Sequence, residues 1–224
     1  MKQGKLIIIE AGDGSGKATQ TARLYDHLRQ DGRRVHRVEF PDYGSPSSAL
    51  VRMYLAGDFG GHAEDVNAYA ASTFFAVDRY ASSRMKWKKF YDAGDIILAD
   101  RYTTSNMVHQ AVKIADAAER EAFLAWLYDL EFTKMGLPVP DAVVFLDMEP
   151  AVADQLLAAR AAKEHGQEDI HEQDKAYLRR CHAMYQTLAQ KYGWQTVKCS
   201  ADGAPRAIEA IHADVYAALK GVLA

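Results

Sequence analysis

The stretch Lys5-Leu-Ile-Ile-Ile-Glu-Ala-Gly-Asp-Gly-Ser-Gly-Lys-Ala-Thr-Gln-Thr21 decides the fold. Its residues 6–9 are apolar and rich in β-branched side chains, which predicts a buried parallel strand. Glycines follow at alternate positions, and Lys17 opens a helical stretch that runs to residue 30. This order predicts a phosphate site, because glycine lets loop N–H groups point inward, the helix N-terminus adds its dipole and Lys17 adds a full charge. A plain strand-to-helix turn would also need glycine, but it would gain nothing from the lysine.

The phosphate loop departs from the usual pattern G-x-x-x-x-G-K-[ST]. Ala11 stands where the first glycine is expected, and Ala18 stands where a hydroxyl normally contacts Mg²⁺. Thr19 lies one residue further along, so its side chain points to another part of the helix. A metal must therefore be held by phosphate oxygens, water and carboxylates. The candidate ligands are Asp13 in the loop and Asp100 after a later strand.

The composition suits one α/β domain that spans residues 1–224, with a small mobile insert. Hydrophobic residues make up 49% of the chain, which is enough for a full core. The formal net charge is −3, so the overall charge does not indicate a nucleic acid or a membrane as partner. Cys181 and Cys199 have no motif around them and are interpreted as reduced thiols of a cytoplasmic protein. The first apolar run is a strand rather than a signal peptide, and no stretch is long enough to span a bilayer.

Predicted strands and helices alternate along the rest of the chain. The strands are expected at residues 6–9, 35–40, 96–99, 142–147 and 195–199, and the helices at residues 17–30, 47–56, 66–91, 106–113, 117–134, 150–163, 172–192 and 205–219. The alternation predicts a doubly wound parallel sheet with right-handed crossovers. Such sheets bind ligands at the carboxyl ends of their strands. One cleft is therefore expected there, lined by the glycine loop, Phe40-Pro41, Asp100-Arg101 and Asp147.

Two further arginines suggest a second anion site. Transfer of a phosphoryl group between two nucleotides brings two polyanions together, so cations are needed for both. Arg101 lies at a strand end, and Arg79 lies in a predicted helix with Phe75 four residues before it on the same face. An aromatic ring beside an arginine suits a base and its 5′-phosphate. The alternative is a core phenylalanine next to a surface arginine in a salt bridge, which helix statistics alone favour.

A series of motifs resembles that of the thymidylate kinase family, in its order and at about its spacings. The motifs are Glu10-Ala-Gly-Asp-Gly-Ser-Gly-Lys-Ala-Thr-Gln20, Phe40-Pro41, Phe75-Ala-Val-Asp-Arg79, Asp100-Arg-Tyr-Thr-Thr-Ser-Asn106 and Pro140-Asp141 with Leu146-Asp147. The resemblance covers most of the chain and implies phosphorylation of dTMP to dTDP, with ATP as co-substrate and Mg²⁺ as cofactor. It also implies a P-loop NTPase-type five-stranded parallel sheet flanked by helices, a small helical lid and, as is usual in the family, a homodimer.

The resemblance further implies roles for individual residues. The ATP-binding residues are Gly12, Asp13, Gly14, Ser15, Gly16, Lys17, Ala18 and Thr19. Asp13 would meet the sugar 3′-hydroxyl or the metal. The residues implied for dTMP are Phe40, Pro41, Phe75, Arg79, Arg101, Asn106 and His109. Of these, Phe75 would stack on thymine, the two arginines would hold the monophosphate, and the Asn106 amide would contact the base edge, since an amide both donates and accepts hydrogen bonds.

The chain departs from the family pattern in ways that bear on selectivity and catalysis. His109 stands where many members have a tyrosine near the sugar 2′ position, which leaves the mode of deoxyribose selection open. Gly14 stands where one branch carries a catalytic arginine, so the chain resembles the branch whose arginine comes from a lid. The lid is expected at residues 160–172, where Arg160 and Lys163 could close over the transferring phosphoryl group. A solvated helix end with ordinary surface charges is the alternative.

The expected reaction is direct in-line transfer of the γ-phosphoryl group of ATP to the dTMP phosphate. Catalytic roles are expected for Lys17, Asp13, Arg101 and the lid cations Arg160 and Lys163. The first alternative is a kinase of another nucleoside monophosphate. The second is a regulatory protein that binds a nucleotide without transferring phosphate, which Ala18 keeps open. The retained acceptor residues argue against this second alternative.

Overall fold

The phosphate-loop strand lies at the centre of a five-stranded parallel sheet. The computed structural model describes residues 4–161 and 169–224. The strands of the sheet are β1 (Lys5–Ala11), β2 (Val35–Glu39), β3 (Ile96–Asp100), β4 (Ala142–Asp147) and β5 (Gln195–Lys198), and their spatial order is β2-β3-β1-β4-β5. The progression of strands reverses its direction across the sheet next to β1, which is where open α/β sheets bind ligands.

Helices flank both faces of this sheet. They are α1 (Lys17–Gln30), α2 (Ala49–Leu55), α3 (Ala68–Ser82), α4 (Lys88–Asp92), α5 (Thr103–Ala111), α6 (Ala117–Tyr128), α7 (Pro150–Ala161), α8 (Lys175–Tyr192), α9 (Ile208–Ala218) and α10 (Lys220–Leu223). Short 3₁₀ helices lie at Pro46–Ser48 and Ala63–Asp65, and π-helical turns lie at Ser83–Trp87 and Asp129–Lys134. A two-stranded antiparallel hairpin, β6 (Ser200–Ala201) and β7 (Ala204–Pro205), precedes α9. Within the described residues, no helix is both long and apolar enough to cross a bilayer.

The side chains on the two faces of β1 pack into two different parts of the hydrophobic core. Ile7 and Ile9 pack with α1 and α9 on one face. Leu6 and Ile8 pack with Trp87 and its neighbours on the other face. All four β1 side chains are fully buried, and each contributes about 1.5–3 kcal/mol relative to an exposed position. The glycine loop therefore begins at the end of a rigidly held strand.

The structure corrects several predicted element bounds. The helix expected over residues 66–91 is interrupted at Ser83–Trp87 by a π-helical turn. This turn adds a residue to the helical repeat and accompanies the burial of Trp87, which is 1% exposed. The prediction that a helix begins at Pro205 is wrong, because this residue pairs with Ser200 in the hairpin.

The predicted lid falls largely outside the described residues. Residues 162–168, including Lys163, are not described, and neither is the Arg160 side chain. The C-terminal end of the segment, residues 169–172, forms a turn. The carboxylate oxygen Oδ1 of Asp169 closes this turn by accepting hydrogen bonds from the backbone N–H groups of His171 and Glu172, at 2.8 and 2.9 Å.

Candidate active site

The glycine loop curls between β1 and α1 with its backbone held by local contacts. Gly14 and Gly16 both have φ of 76°, a left-handed conformation that glycine adopts without strain. The Ser15 hydroxyl donates to the Gly12 carbonyl oxygen at 2.7 Å. A Cβ atom on Gly14 would lie 2.6 Å from the carbonyl oxygen of Ala153 in α7. An arginine at this position would therefore clash here, which accords with the expectation that the loop supplies no catalytic arginine.

Lys17, the first residue of α1, forms an ion pair with Asp100 at the end of β3. Burial lowers the pKa of the Lys17 ammonium and Arg101 lowers it further, whereas Asp100 opposes both. Ala18 and Thr19 are exposed on the first turn of the helix. The Lys17 ammonium is thus paired with the Asp100 carboxylate. Phosphate oxygens bound in the loop would compete with this carboxylate for the ammonium.

Arg101 joins the phosphate loop to α5 and α8. Its guanidinium donates to Asp13 in the loop, to the Ser105 hydroxyl at 3.2 Å and to the Tyr185 hydroxyl at 3.1 Å. Its φ of 65° is uncommon for a residue with a side chain. Burial alone would raise the pKa of the Asp13 carboxyl, but the charge of Arg101, with smaller contributions from other groups, holds it below its usual value. The Asp13–Arg101 pair thus places a carboxylate and a cation between the glycine loop and a cavity that both residues line.

Glu10 binds the residues that surround Arg101. The sequence alone assigned it no role. Its carboxylate is fully buried and accepts hydrogen bonds from the Tyr102 backbone N–H and from three hydroxyl groups. The hydroxyl donors are Thr104, Ser105 and Tyr185. A buried carboxylate is tolerated when it is well supplied with donors. These bonds fix the start of α5 and the Tyr185 hydroxyl that contacts Arg101.

One cavity brings together all the residues predicted to bind the acceptor nucleotide. The cavity also includes Asp13 from the loop, and the predicted residues that line it are Phe40, Pro41, Phe75, Arg79, Arg101, Asn106 and His109. The Asn106 side-chain amide donates to the Ser72 backbone carbonyl oxygen at 3.1 Å. Its own side-chain oxygen accepts no hydrogen bond from the described residues and is available to a ligand. Asp147, by contrast, is paired with His182 and Lys198 and does not line this cavity.

Gln110 lines the same cavity and was missed from the sequence. It is fully buried, and neither polar atom of its amide has a hydrogen-bond partner of ordinary geometry in the described part of the chain. It lies one helical turn after Asn106, so the two amides share a face of α5. In the sequence, only the four-residue spacing from Asn106 to Gln110 indicated that Gln110 could belong to the same site.

Arg79 is buried in an ion pair rather than exposed. Its Nε and Nη2 atoms donate to the Glu131 carboxylate at 2.7 and 2.5 Å, and the Thr103 hydroxyl donates to the same carboxylate at 2.7 Å. Arg79 is 2% exposed and Glu131 is fully buried. The alternative of a surface salt bridge is therefore wrong. Arg79 still lines the cavity, with Nη1 free of protein partners among the described residues.

Comparison with known proteins decides the family. The family model of thymidylate kinase matches residues 9–215. The chain belongs to the thymidylate kinase family. A thymidylate kinase of Mycobacterium tuberculosis is 35% identical over 191 residues, which cover 84% of this chain and 87% of the relative. The thymidylate kinase of Homo sapiens is 27% identical over 215 residues, which cover 96% of this chain and 89% of the relative.

A solved structure supports the same fold. A thymidylate kinase from Candida albicans aligns with a TM-score of 0.70, over 99% of this chain and 93% of that chain, at 20% identity. The predicted family and the predicted doubly wound sheet are confirmed. None of these comparisons supports the two alternative functions, another monophosphate kinase or a regulatory protein.

Asp169 lies at the cavity with a strongly perturbed carboxyl group. Burial, together with the charges of Glu172 and Asp13, raises the pKa of this carboxyl from 3.8 to about 6, against the opposing effect of the hydrogen bonds from the turn backbone. The folded state thus favours the protonated acid. Its contribution to stability is full below pH 3.8 and is lost as the pH rises through about 6.

Replacement of Asp169 by asparagine is therefore expected to stabilise the protein at pH 7.5 and not at pH 4. Asparagine keeps the oxygen that accepts the turn N–H bonds but removes the charge, so we expect a gain of about 1–2 kcal/mol, discounted for partial solvent screening. The measurement is urea unfolding at both pH values, with the exposed Asp58→Asn as control. An equal change at both pH values would contradict the assignment.

Proposed function

We propose that the chain transfers the γ-phosphoryl group of ATP to the phosphate of dTMP, giving dTDP and ADP. The reaction would serve the supply of dTTP. The observation that carries the proposal is the Asp13–Arg101 pair, which joins the phosphate loop to the acceptor cavity. Membership of the thymidylate kinase family supports the choice of dTMP as acceptor.

The catalytic work in this proposal is positioning and neutralisation of charge. The acceptor phosphate oxygen is already ionised near pH 7, so no strong general base is needed. Lys17 would exchange its contact with Asp100 for the outer phosphates of ATP, together with the loop amides of residues 12–17. Arg101 lies between loop and cavity and would neutralise the phosphates of both nucleotides. Catalytic roles for Arg160 and Lys163 stay predictions, since the structure does not describe their side chains.

The base end of the cavity would be built by α3 and α5. Phe75 offers an aromatic face for thymine, and its ring stands edge-on to Tyr54 with centroids 6.2 Å apart. The side-chain oxygen of Asn106 and the amide of Gln110 would contact the base edge. Arg79 would bind the nucleotide through Nη1, and Phe40 and Pro41 also line the cavity.

Mg²⁺ fits the carboxylates of the site. Asp13 and Asp100 each have one oxygen in an ion pair and one oxygen, Oδ2, without a hydrogen bond among the described residues. No cluster of three acidic, histidine or cysteine ligands occurs in the described ranges, 4–161 and 169–224. This suits an ion held mainly by phosphate oxygens and water, with one or two carboxylates. When bound, the ion would neutralise charge on the transferring phosphoryl group.

We also propose a homodimer and a cytoplasmic location. Tyr69, Val77 and Tyr80 are each more than 40% exposed and lie along one face of α3. Tyr69 packs edge-on against Trp126 of α6, which extends the apolar surface. A helix face that exposes several large apolar side chains suits a contact between two copies of the chain. The thiols of Cys181 and Cys199 are free and buried, as suits a reducing compartment.

A panel of acceptors tests the proposed reaction. ATP and Mg²⁺ are incubated separately with dTMP, dUMP, dGMP, AMP, CMP and UMP, and the diphosphate products are measured by chromatography. We expect dTDP to form at least about tenfold faster than any other diphosphate, because a pocket that hydrogen-bonds a base rejects bases that leave its polar groups unpaired. Faster use of another acceptor would keep the mechanism but refute the assignment of the base. Binding of ATP without any product would favour the regulatory alternative.

A further inference from the structure

Asp78 is a buried carboxylate whose hydrogen bonds all go to one loop. It belongs to α3 and is 1% exposed. Its Oδ2 atom accepts a hydrogen bond from the Asp42 backbone N–H at 2.8 Å, and its Oδ1 atom accepts one from the Ser47 hydroxyl at 2.6 Å. In the described part of the chain, no cation forms an ion pair with this carboxylate. Burial of a carboxylate without a counter-charge is costly, which indicates that its two hydrogen bonds have a function.

The loop that Asp78 binds forms part of the wall of the acceptor cavity. This acceptor loop, residues 40–47, follows β2 in the chain. Pro41 and Tyr43 line the cavity, whereas Asp42 between them lines a separate groove. The hydrogen bond from the Asp42 N–H to Asp78 therefore holds the loop backbone between two residues that line the cavity.

Lys86 binds the same loop residue through its side chain. The Lys86 ammonium forms an ion pair with the Asp42 carboxylate. The Lys86 side chain is 51% exposed and that of Asp42 is 14% exposed, so solvent screens this pair. The hydrogen bonds to Asp78 are buried and made to a charged acceptor, which makes them the stronger restraint on the loop.

A π-helical turn brings Lys86 towards the side of the helix on which Asp78 lies. The turn, Ser83–Trp87, directly follows α3 and includes Lys86. In a regular α-helix, two side chains that are eight residues apart differ by a rotation of about 80°. A π-helical turn contains more residues, so it reduces this angle. Asp78 and Lys86 can therefore both reach Asp42 from one continuous helical segment.

We propose that Asp78 and Lys86 are positioning residues that hold the acceptor loop in the conformation that binds dTMP. This inference rests on the proposed function. Neither side chain lines the acceptor cavity, so both act on the nucleotide through Pro41 and Tyr43. A loop that is already in its binding conformation loses less entropy when the nucleotide binds. If only a fraction of the molecules has this conformation, the apparent affinity falls by that fraction.

Steady-state kinetics of isosteric variants test the inference. Asp78→Asn keeps the size of the side chain but replaces one acceptor oxygen by a donor group. We expect it to raise KM for dTMP at least about fivefold, with kcat within about threefold of the wild type and KM for ATP unchanged. Lys86→Met should raise KM for dTMP less than about threefold. The exposed Asp26→Asn and Lys89→Met are the matched controls and should change neither KM.

A double-mutant cycle tests whether Ser47 acts through Asp78. Ser47→Ala removes one of the two donors and alters a residue that is not buried, so the fold should tolerate it. We expect Ser47→Ala alone to raise KM for dTMP about two- to threefold, and to have no further effect when Asp78→Asn is already present. Additive effects on KM would show that the two residues act independently and would overturn the inference.

Hydrogen exchange, measured by mass spectrometry, follows the loop itself. The Asp42 amide should exchange slowly in the wild type, because it donates to a buried carboxylate. We expect exchange of the peptide covering residues 40–48 to be at least about tenfold faster in Asp78→Asn, less accelerated in Ser47→Ala, and slowed in both by saturating dTMP.

Two results would overturn the inference whether or not Asp78→Asn folds well. One is equal exchange of the loop peptide in the wild type and Ser47→Ala. The other is a rise in KM for ATP that equals the rise in KM for dTMP, which would show a general loss of structure. Failure of the wild type to produce dTDP would instead refute the proposed function, while exchange without nucleotide would still report whether Asp78 holds the loop.

Discussion

Replacement of Arg101 by methionine is expected to lower kcat for dTMP phosphorylation by about 10³-fold. The guanidinium contacts Asp13 of the phosphate loop and lies in the wall of the acceptor cavity, so it can neutralise charge that develops between the two nucleotides. Methionine keeps much of the aliphatic volume. Asp13 is still partly exposed and can be solvated when its partner is gone, so the fold should remain intact. The measurement is steady-state kinetics together with thermal unfolding.

The exposed Arg33→Met is the matched control for Arg101→Met, since it removes the same charge from the surface. Arg101→Lys provides an intermediate, because lysine keeps the charge but cannot reach Asp13, Ser105 and Tyr185 together with one planar group. We expect Arg101→Lys to lose about 10-fold to 10²-fold in kcat. A kcat for Arg101→Met within threefold of the wild type would remove Arg101 from the catalytic step.

Local pattern made the glycine loop and the elements that flank it predictable. The strand before the loop, the glycines with positive φ and Lys17 at the first position of α1 all follow from neighbouring residues in the sequence. The parallel sheet also follows from local alternation, since strands and helices recur with ordinary spacing. Phe75, Arg79 and Arg101 were suggested by their positions in a helix and at a strand end, and the other acceptor residues came from the family resemblance. The structure places all of them around one cavity.

Long-range partners could not be predicted in the same way. The sequence shows Arg79 as a cation in a helix, but its partner Glu131 is 52 residues away and is brought to it only by tertiary packing. Tyr185 reaches Glu10 across 175 residues, and His171 reaches Tyr54 across 117. His171 also lies in the segment predicted to form the lid, residues 160–172. Buried polar partners of this kind carry no periodicity that a sequence pattern could detect.

Removal of the Glu131 carboxylate is expected to be the most destabilising single change among these predictions. Glu131 is fully buried and accepts two hydrogen bonds from Arg79 and one from Thr103. Glu131→Ala leaves the Arg79 guanidinium buried without a counter-charge, which typically costs about 3–5 kcal/mol when one partner of a buried pair is removed. The measurement is the free energy of unfolding in urea.

Matched variants separate the loss of charge from the loss of volume at Glu131. Glu131→Gln keeps the size and one acceptor oxygen, so its loss should be smaller than that of Glu131→Ala. The exposed Glu121, paired with Lys191, is the control, and Glu121→Ala should change stability by less than about 1 kcal/mol.

The double variant Glu131→Leu with Arg79→Met removes both charges and should recover much of the stability, because an apolar pair avoids the desolvation cost. It should still impair dTMP binding, since Arg79 lines the cavity. Equal losses in Glu131→Ala and Glu121→Ala would contradict a structural role for the buried pair.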